Sequence, residues 1–443
     1  MSHSRRRFLK HTVMTALASS LAIRARGGTT RPLWVTGNEK IDRARQVAID
    51  MLKPTQKQLQ HAWELHFNSL VFESYGFAPR CAIDGARIQA AVKAGASPSE
   101  IGDIREETMM NRGATHPRER AEFLAAFEAA GVDCIFQNAG EEGSDPLRLI
   151  KRLAHFTKLT DLMRPKLTKA VNSTDVLTAK EAGNFALCFS GNGVPLRQQW
   201  HSVRDELRLI RIFFELGIRM MHLTYNRRNP IGDGCGEPHD GGLSDFGRAA
   251  VTEMNNVGVI VDVAHSGWKT SLDAAKASSK PMVASHTTCG ELHPHFRSKP
   301  DKVIKAICDT DGLVGMCCIS RFLGASGDLN RLLDHIDHVV KTFGADHCAI
   351  GTDVAYQSRF QEEERKKITK RPDGTAPATS DRSSWEHLWP LDSYRATSEA
   401  RESICWTNWP MFTLGMVVRG YVDDDIRKIL GGNVLRVLKA NSG

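Results

Sequence analysis

Two histidines end short apolar runs in the middle of the chain. Residues 259–265 read VIVDVAH, and residues 281–286 read PMVASH. A barrel enzyme carries its working groups at the ends of its strands, so His265 and His286 are candidate metal ligands at one rim. Two hydrogen-bonded structural histidines would produce the same pattern. The remaining strand ends have to decide between these two interpretations.

Polar side chains follow other predicted strands as well. Asp353 ends the stretch Gly-Thr-Asp, Tyr225 follows Leu-Thr, and Asn192 lies in Ser-Gly-Asn-Gly. Imidazole is a good zinc ligand, and an aspartate can take a proton from metal-bound water. Two histidines on neighbouring strands and an aspartate two strands later therefore indicate a metal-dependent hydrolase.

Three further polar residues are ambiguous. Asp262 precedes His265 by three positions, and it is either a partner that orients that ring or an ordinary polar strand residue. His335 and His338 lie on the predicted helix before the last strand. That helix leads into the opposite end of the barrel, so both histidines are predicted to be structural.

Eight strand-like runs alternate with amphipathic helical patterns. The runs begin near residues 69, 133, 185, 218, 258, 281, 313 and 348. Helices are predicted at 117–130, 198–217, 244–257, 268–278, 302–309 and 329–343. This alternation predicts an α/β fold, a (β/α)8 TIM barrel. A doubly wound open sheet is the alternative, but no Gly-x-Gly-x-x-Gly turn follows the first strand.

The sequence predicts a barrel domain at 67–443, preceded by one helical segment and containing two further distinct segments. Residues 31–66 are predicted to be a helical lead-in, residues 355–400 a polar insertion after strand eight, and residues 423–440 a closing helix interrupted by two glycines. The insertion contains a run of charged residues from Glu362 to Lys367, which is expected to be a solvated surface.

The first 30 residues are predicted to be a targeting segment. Arg5 and Arg6 lie in Ser-Arg-Arg-Arg-Phe-Leu-Lys, and a short apolar stretch follows. This is the twin-arginine pattern, which predicts export to the periplasm. The stretch is too short for a stable membrane span, and no later run is long enough.

Charge and cysteine content exclude some classes of protein. The formal charge is +8, from 59 basic and 51 acidic residues, and six of the basic residues precede residue 27. The remainder is nearly balanced, so no nucleic-acid partner is expected. The ten cysteines form no Cys-x-x-Cys pair, which argues against a zinc knuckle.

From about residue 60 to 440 the chain resembles the membrane dipeptidases, the renal dipeptidase-like metallopeptidases of the amidohydrolase superfamily. Several blocks in the right order carry this resemblance. They are LTYN at 223–226, GLSDFG at 242–247, MNNVG at 254–258, DVAH at 262–265, SHT at 285–287, DHIDH at 334–338, GTD at 351–353 and ILGGNVLR at 429–436.

The resemblance implies a binuclear zinc barrel that hydrolyses dipeptides. His265 and His286 would bind the second zinc ion, and Asp353 would transfer the proton. Arg297 would hold the terminal carboxylate of the substrate through its planar fork. Asn192 is a second candidate for substrate binding.

The chain departs from the family pattern at several metal ligands. Tyr75 and Phe77 occupy the positions of the first-zinc His-x-Asp pair, no carboxylate occurs at 189–192 where the family has a bridging glutamate, and Tyr225 replaces a histidine. Glu73 and Glu237 are candidate compensating ligands. We therefore expect one zinc ion, although two are possible.

The sequence thus predicts an exported hydrolase of dipeptides or similar small carboxylate-bearing amides, acting through metal-activated water. The alternative is a catalytically inactive barrel that serves as a periplasmic peptide- or amide-binding protein. A third candidate is an amidohydrolase for another small substrate. A homodimer is possible. A binding protein needs Arg297 and a pocket, whereas either enzyme also needs the two histidines.

Overall fold

The computed structural model describes residues 32–140, 145–369 and 393–442. The described residues from Thr36 onward group into one compact unit, which includes the lead-in helices, the barrel strands and the C-terminal helices. The predicted twin-arginine segment and residues 370–392 of the predicted insertion lie outside the described residues.

The core of this unit is a parallel sheet that curves into a nearly closed barrel, which confirms the predicted fold class. The strands are β1 Phe72–Gly76, β2 Cys134–Gly140, β3 Leu167–Ala170, β4 Phe185–Gly191, β5 Ile218–His222, β6 Ile260–Asp262, β7 Val283–Thr287, β8 Leu313–Met316 and β9 Cys348–Ile350. Eight of them pair in the order β1-β2-β4-β5-β6-β7-β8-β9, and every pair is parallel.

The ends of β9 and β1 meet on the rim side. The Asp353 N–H lies 3.4 Å from Tyr75 O, and the Thr352 N–H donates to Glu73 Oε1 at 3.1 Å. Because the strands are parallel, all their carboxyl ends lie at this same rim. The predicted site residues follow these ends, so the barrel fixes where their backbones lie.

Strand β3 was not predicted from the sequence. It is four residues long and leaves Lys169 exposed, so it lacks the apolar run that marks the other strands. It pairs with the first half of β4, from Phe185 to Cys188, whereas the second half of β4 pairs with β5. Strand β3 therefore covers an edge of β4 before β5 begins.

Helices surround the sheet. The first group is α1 Glu39–Leu52, α2 Gln56–Asn68, α3 Gly85–Lys93, α4 Pro98–Thr115, α5 Pro117–Ala130, α6 Pro146–Met163, α7 Ser173–Glu181, α8 Val203–Glu215 and α9 Asp245–Val257. The second group is α10 Trp268–Ala277, α11 Asp301–Cys308, α12 Ser320–Leu323, α13 Leu329–Phe343, α14 Gln361–Arg365, α15 Ser398–Ser403, α16 Trp409–Val418, α17 Asp423–Arg427 and α18 Asn433–Asn441.

Helices α5 and α13 have the predicted bounds because their ends are marked in the sequence. Pro117 begins α5, and Gly131 ends it with a left-handed φ of 62°. Helix α8 is shorter than predicted. Gln198 and Trp200 have φ values of 57° and 54°, and their N–H groups donate to the Glu206 carboxylate at 2.9 Å. These residues therefore form a turn that leads into the helix.

The C-terminal helix is interrupted at the predicted glycines. A π-helical turn at Lys428–Gly432 separates α17 from α18. A Cβ atom on Gly431 would lie 2.5 Å from Leu70 O, so only glycine lets this turn approach the start of β1.

The charged run at 362–367 is only partly the solvated surface that was expected. Glu362 and Glu363 are exposed, but Glu364 is buried. Its carboxylate accepts a hydrogen bond from the Gly85 N–H at 3.0 Å and pairs with Arg112 at 3.3 Å. These contacts join the insertion to the start of α3 and to α4.

The described residues contain no helix with the length and apolar character needed to cross a membrane. All ten cysteines are free thiols, and nine of them are buried. They fill apolar space between strands and helices, as small hydrophobic residues do.

Candidate active site at the barrel rim

The structure brings His265 and His286 together. His265 follows β6, and His286 lies within β7. Both side chains are buried, and their Nε2 atoms are 2.9 Å apart. Neighbouring parallel strands end side by side, so residues just past those ends can approach each other in this way.

Hydrogen bonds behind the two rings determine which nitrogen carries the proton. His265 Nδ1 contacts the Asn226 Oδ1 acceptor. Ser285 Oγ donates to Asp262 Oδ2 and therefore accepts from His286 Nδ1, which is 2.9 Å away. Both Nδ1 atoms thus carry the proton. The two Nε2 lone pairs face each other, which is the arrangement that a shared cation requires.

Both imidazoles are neutral. Burial is the main cause that lowers the pKa of each ring well below its usual range, and the Arg297 guanidinium lowers it further. Neutral imidazole is the form that binds metal ions.

Two buried cations lie beside the histidines. Arg297 Nη2 is 3.2 Å from His265 Nε2 and 3.3 Å from His286 O, and Nη1 donates to Ala264 O. Lys299 Nζ donates to Ser266 O, and burial lowers the pKa of this amine to about 8. Within the described ranges neither cation has a carboxylate within 4.0 Å. A buried guanidinium with this environment favours an anionic ligand.

Aromatic rings stack on both histidines. Tyr75 stacks on His286 with ring centroids 3.9 Å apart, and Tyr225 stacks on His265 at 4.3 Å. The Tyr75 hydroxyl donates to Asn192 Oδ1 at 2.6 Å. Burial raises the pKa of Tyr75 well above its usual value, so its hydroxyl stays protonated. The face of His286 that contacts Tyr75 is therefore covered by an uncharged phenol ring.

Asp353 lies at the rim after β9. It is a non-glycine residue with φ of 57°, a backbone conformation that is uncommon outside turns and functional sites. Its backbone N–H lies 3.4 Å from Tyr75 O, and its charge contributes to the raised pKa values of Tyr75 and Glu73.

The carboxyl group of Glu73 is fully buried and forms several hydrogen bonds. Oε1 accepts from the N–H and hydroxyl of Thr352, and Oε2 accepts from Trp406 Nε1 at 2.8 Å. Burial raises the pKa of Glu73 to about 8, although these hydrogen bonds oppose the shift. Glu73 thus joins β1 to β9 and to the C-terminal segment.

Glu237 lies in the loop after β5. Its Oε1 accepts from the Arg228 N–H at 3.0 Å. Among the described residues, two groups have three potential metal ligands whose donor atoms all lie within 4.8 Å, and neither includes Glu73 or Glu237. Among the described residues, neither glutamate therefore belongs to a group of potential metal ligands, as its predicted role would require.

The sequence reasoning missed His222 and left Asp262 undecided. His222 ends β5, and its Nε2 lies 2.9 Å from Asp262 Oδ2; both side chains are completely buried. Together with His286 they form one of the two ligand groups. Burial alone would raise the pKa of Asp262, but His222 and the Ser285 hydrogen bonds outweigh it and hold the pKa below its usual range. A histidine in the apolar run Ile-Arg-Met-Met-His-Leu was the available signal.

The two histidines of helix α13 lie outside this network. His335 is buried, accepts from the Cys289 N–H at 3.0 Å and contacts Leu323 O. His338 is half-buried and pairs with Asp301 at 2.7 Å. With Glu291, His338 and Asp301 form the second ligand group, on the outer surface.

Residues 116–368 match the sequence model of the family described as membrane dipeptidase (Peptidase family M19). The chain belongs to this family. The matched residues span β2 to β9, and His265, His286, Arg297 and Asp353 lie within that range.

A curated relative is dipeptidase tcpJ of Claviceps purpurea (strain 20.1). It is 25% identical over 287 residues, which are 64% of this chain and 57% of the relative. The chain thus spans less than two thirds of the length of this relative.

Solved structures share the fold. An amidohydrolase from Pseudomonas aeruginosa has a TM-score of 0.62 at 22% identity, covering 86% of this chain and 99% of its own. A metallo peptidase from Rhodobacter sphaeroides, liganded with a phosphinate mimic of the dipeptide L-Ala-D-Ala, has a TM-score of 0.58 at 17% identity, covering 84% and 100%.

The buried Glu73 carboxyl makes stability depend on pH. With a folded pKa of about 8 and an ordinary value near 4.5, only the folded chain keeps this proton between those two values. The contribution of Glu73 to the free energy of unfolding is therefore complete below pH 4.5 and is lost as pH rises to 8. The loss is roughly 4 kcal/mol.

We expect Glu73→Gln to gain stability relative to the unchanged chain between pH 5 and pH 8, as measured by urea unfolding at both values. Glu362→Gln, at an exposed carboxyl of the insertion, is the control for the loss of one acid. A Glu73→Gln difference that is the same at both pH values would contradict the role of this buried proton.

Proposed function

We propose that this chain is a metal-dependent hydrolase that cleaves the amide bond of dipeptides or of similar small carboxylate-bearing amides. The observation that carries the proposal is the pair of neutral imidazoles whose Nε2 lone pairs face each other at 2.9 Å beside a buried guanidinium. Membership of the dipeptidase family supports the same reaction. The relatives include proteins described as dipeptidase and metallo peptidase.

The donor set fits one metal ion. His265 and His286 present unprotonated nitrogens, and Asn226 and Ser285 hold the opposite nitrogen of each ring. Imidazole donors suit zinc. A bound zinc ion would supply an activated water and would polarise the substrate carbonyl.

A second ion does not fit the residues at the end of β1. Tyr75 packs its ring against His286, and Phe77 offers only hydrocarbon. Two dications about 4 Å apart repel by more than 10 kcal/mol even at an effective dielectric constant of 20, so a second ion needs bridging anionic ligands. Segment 189–192 has no carboxylate to bridge them.

The other rim residues have roles in binding and proton transfer. Arg297 holds the free carboxylate of the substrate, and Asn192, fixed by Tyr75, binds beside it. The Tyr225 hydroxyl donates to the carbonyl oxygen as charge develops there. The Asp353 carboxylate takes a proton from the attacking water and returns it to the leaving amine nitrogen.

The second candidate function is a periplasmic binding protein without turnover. The buried Arg297 and Lys299 favour it, because they would hold a carboxylate whether or not a metal is present. Metal content distinguishes the two functions, since only the hydrolase needs an ion at the histidines.

We also propose export by the twin-arginine route, on the basis of Arg5 and Arg6. Replacing both with lysine should leave the full-length protein in the cytoplasm, because the paired arginines are the recognised signal. Cell fractionation measures this, and normal export of the double variant would contradict the proposal.

The proposed activity is tested with the purified chain and a panel of dipeptides. We expect at most one tightly bound zinc ion per chain by elemental analysis, with cleavage that a chelator abolishes and zinc restores. His286→Ala should lose both the ion and the activity. Two ions with fast cleavage would contradict the one-metal site, and tight dipeptide binding by a metal-free chain would favour the binding protein.

Arg297→Ala should weaken binding of a substrate with a free carboxylate by about 1.5–3 kcal/mol, the range for hydrogen bonds to a charged group. KM or Kd is compared for a dipeptide and for the same dipeptide with an amidated C-terminus. The amide should be almost unaffected by the substitution. An equal loss for both ligands would show that Arg297 supports the fold and does not bind the carboxylate.

A further inference from the structure

His222 is a completely buried side chain with one ring nitrogen that lacks a partner. Its Nε2 lies 2.9 Å from Asp262 Oδ2 and pairs with that carboxylate. Among the described residues, its Nδ1 has no hydrogen-bond partner. A buried polar group without a partner destabilises the fold unless something else binds it.

The surroundings of His222 are made of other site residues. Its ring lies 5.3 Å from the ring of His286, 5.1 Å from that of His265 and 5.2 Å from that of Tyr75. His222 ends β5, one strand before the strand of Asp262 and two before that of His286. The three strands thus direct three potential ligands to one region inside the rim.

The dimensions of this region suit a metal ion. One donor atom each of His222, Asp262 and His286 lies within 4.8 Å of the other two. Donor atoms around one tetrahedral zinc ion are about 3.3 Å apart, because zinc bonds to nitrogen and oxygen are about 2.0–2.2 Å long. Small side-chain movements therefore bring the three donors into one coordination sphere.

We propose that His222 and Asp262 are metal ligands, which together with His286 form an inner part of the metal centre that family resemblance does not assign. This assignment extends the proposed function to further ligands of the same metal centre. The catalytic role of the bound ion rests on the proposed function. With His265, these residues would offer the single ion three imidazoles and one carboxylate, all of which are ligand types that zinc accepts.

Asp262 supplies the negative charge that the pair His265 and His286 lacks. Its Oδ2 already accepts from Ser285, but a carboxylate has four lone-pair sites and can bind an ion as well. The charge matters because Arg297 and Lys299 are both buried nearby and would repel a cation bound by imidazoles alone. The Asp262–Ser285–His286 chain also fixes the orientation of the shared ligand.

The outer group of Glu291, Asp301 and His338 is an internal control. It has the same number of potential ligands within the same 4.8 Å span, but its side chains are exposed or half-buried. Its His338 is partly exposed to solvent, so this group lacks the buried ring nitrogen without a partner that distinguishes the inner group.

The first experiment measures zinc affinity of the purified, chelator-stripped chain by competition with a chromophoric chelator. We expect His222→Gln and Asp262→Asn each to weaken zinc binding by more than about 100-fold, beyond the 10–100-fold typical of residues that only orient a ligand. His338→Gln should leave the affinity unchanged. Unchanged affinity in His222→Gln would overturn the proposal.

The second experiment identifies the ligand atom and stays informative if the glutamine variant fails to fold. X-ray absorption of the zinc-loaded, unsubstituted chain and of His222→Gln counts imidazole ligands, and the count should fall by one. In His222→Cys, cobalt should show a new sulfur-to-cobalt charge-transfer band that the unsubstituted chain lacks. A constant imidazole count or an absent band would overturn the proposal.

These readouts separate the inference from the proposed hydrolysis. Zinc bound through His222 without dipeptide cleavage would contradict the proposed function and support the inner ligands. Cleavage with zinc affinity independent of His222 would support the function and overturn the inner ligands.

Discussion

The close contact between two neutral imidazoles is the constraint on which the rest of the site depends. Two Nε2 lone pairs at 2.9 Å repel each other unless a cation lies near them. The protein fixes this arrangement from behind, with Asn226 on one ring and the Ser285–Asp262 chain on the other. The guanidinium of Arg297 partly satisfies the pair by contacting His265 Nε2 at 3.2 Å.

The barrel makes this contact possible because it ends parallel strands at one rim. Strands β5, β6 and β7 are hydrogen-bonded neighbours, so their terminal side chains converge without long loops. Glu73 stabilises the junction between the first and last strands through Thr352 and Trp406. A buried carboxyl with a pKa of about 8 is tolerated there because three donors surround it.

Tyr75 places aromatic surface where the resemblance to the family implies ligands for a first zinc ion. Its ring packs on His286, and its hydroxyl donates to Asn192. Fewer anionic ligands mean that fewer metal charges can be balanced in a buried pocket. In our proposal, His222 and Asp262 supply one imidazole and one carboxylate within reach of His286.

The sequence by itself determined the barrel, because hydrophobic runs and helical periodicity alternate along the chain. It predicted all eight strands of the barrel path, and it missed β3, whose four residues lack an apolar run. It also singled out His265, His286 and Asp353 as candidate site residues, since each lies at the end of a strand predicted from the sequence. Only the tertiary structure decided which polar groups share one pocket. His222 looks like a core residue in its strand, and its proximity to Asp262 and His286 depends on the register of three strands that are distant in sequence. Likewise, the role of Glu73 depends on Trp406, 333 residues later, and no local pattern specifies that contact.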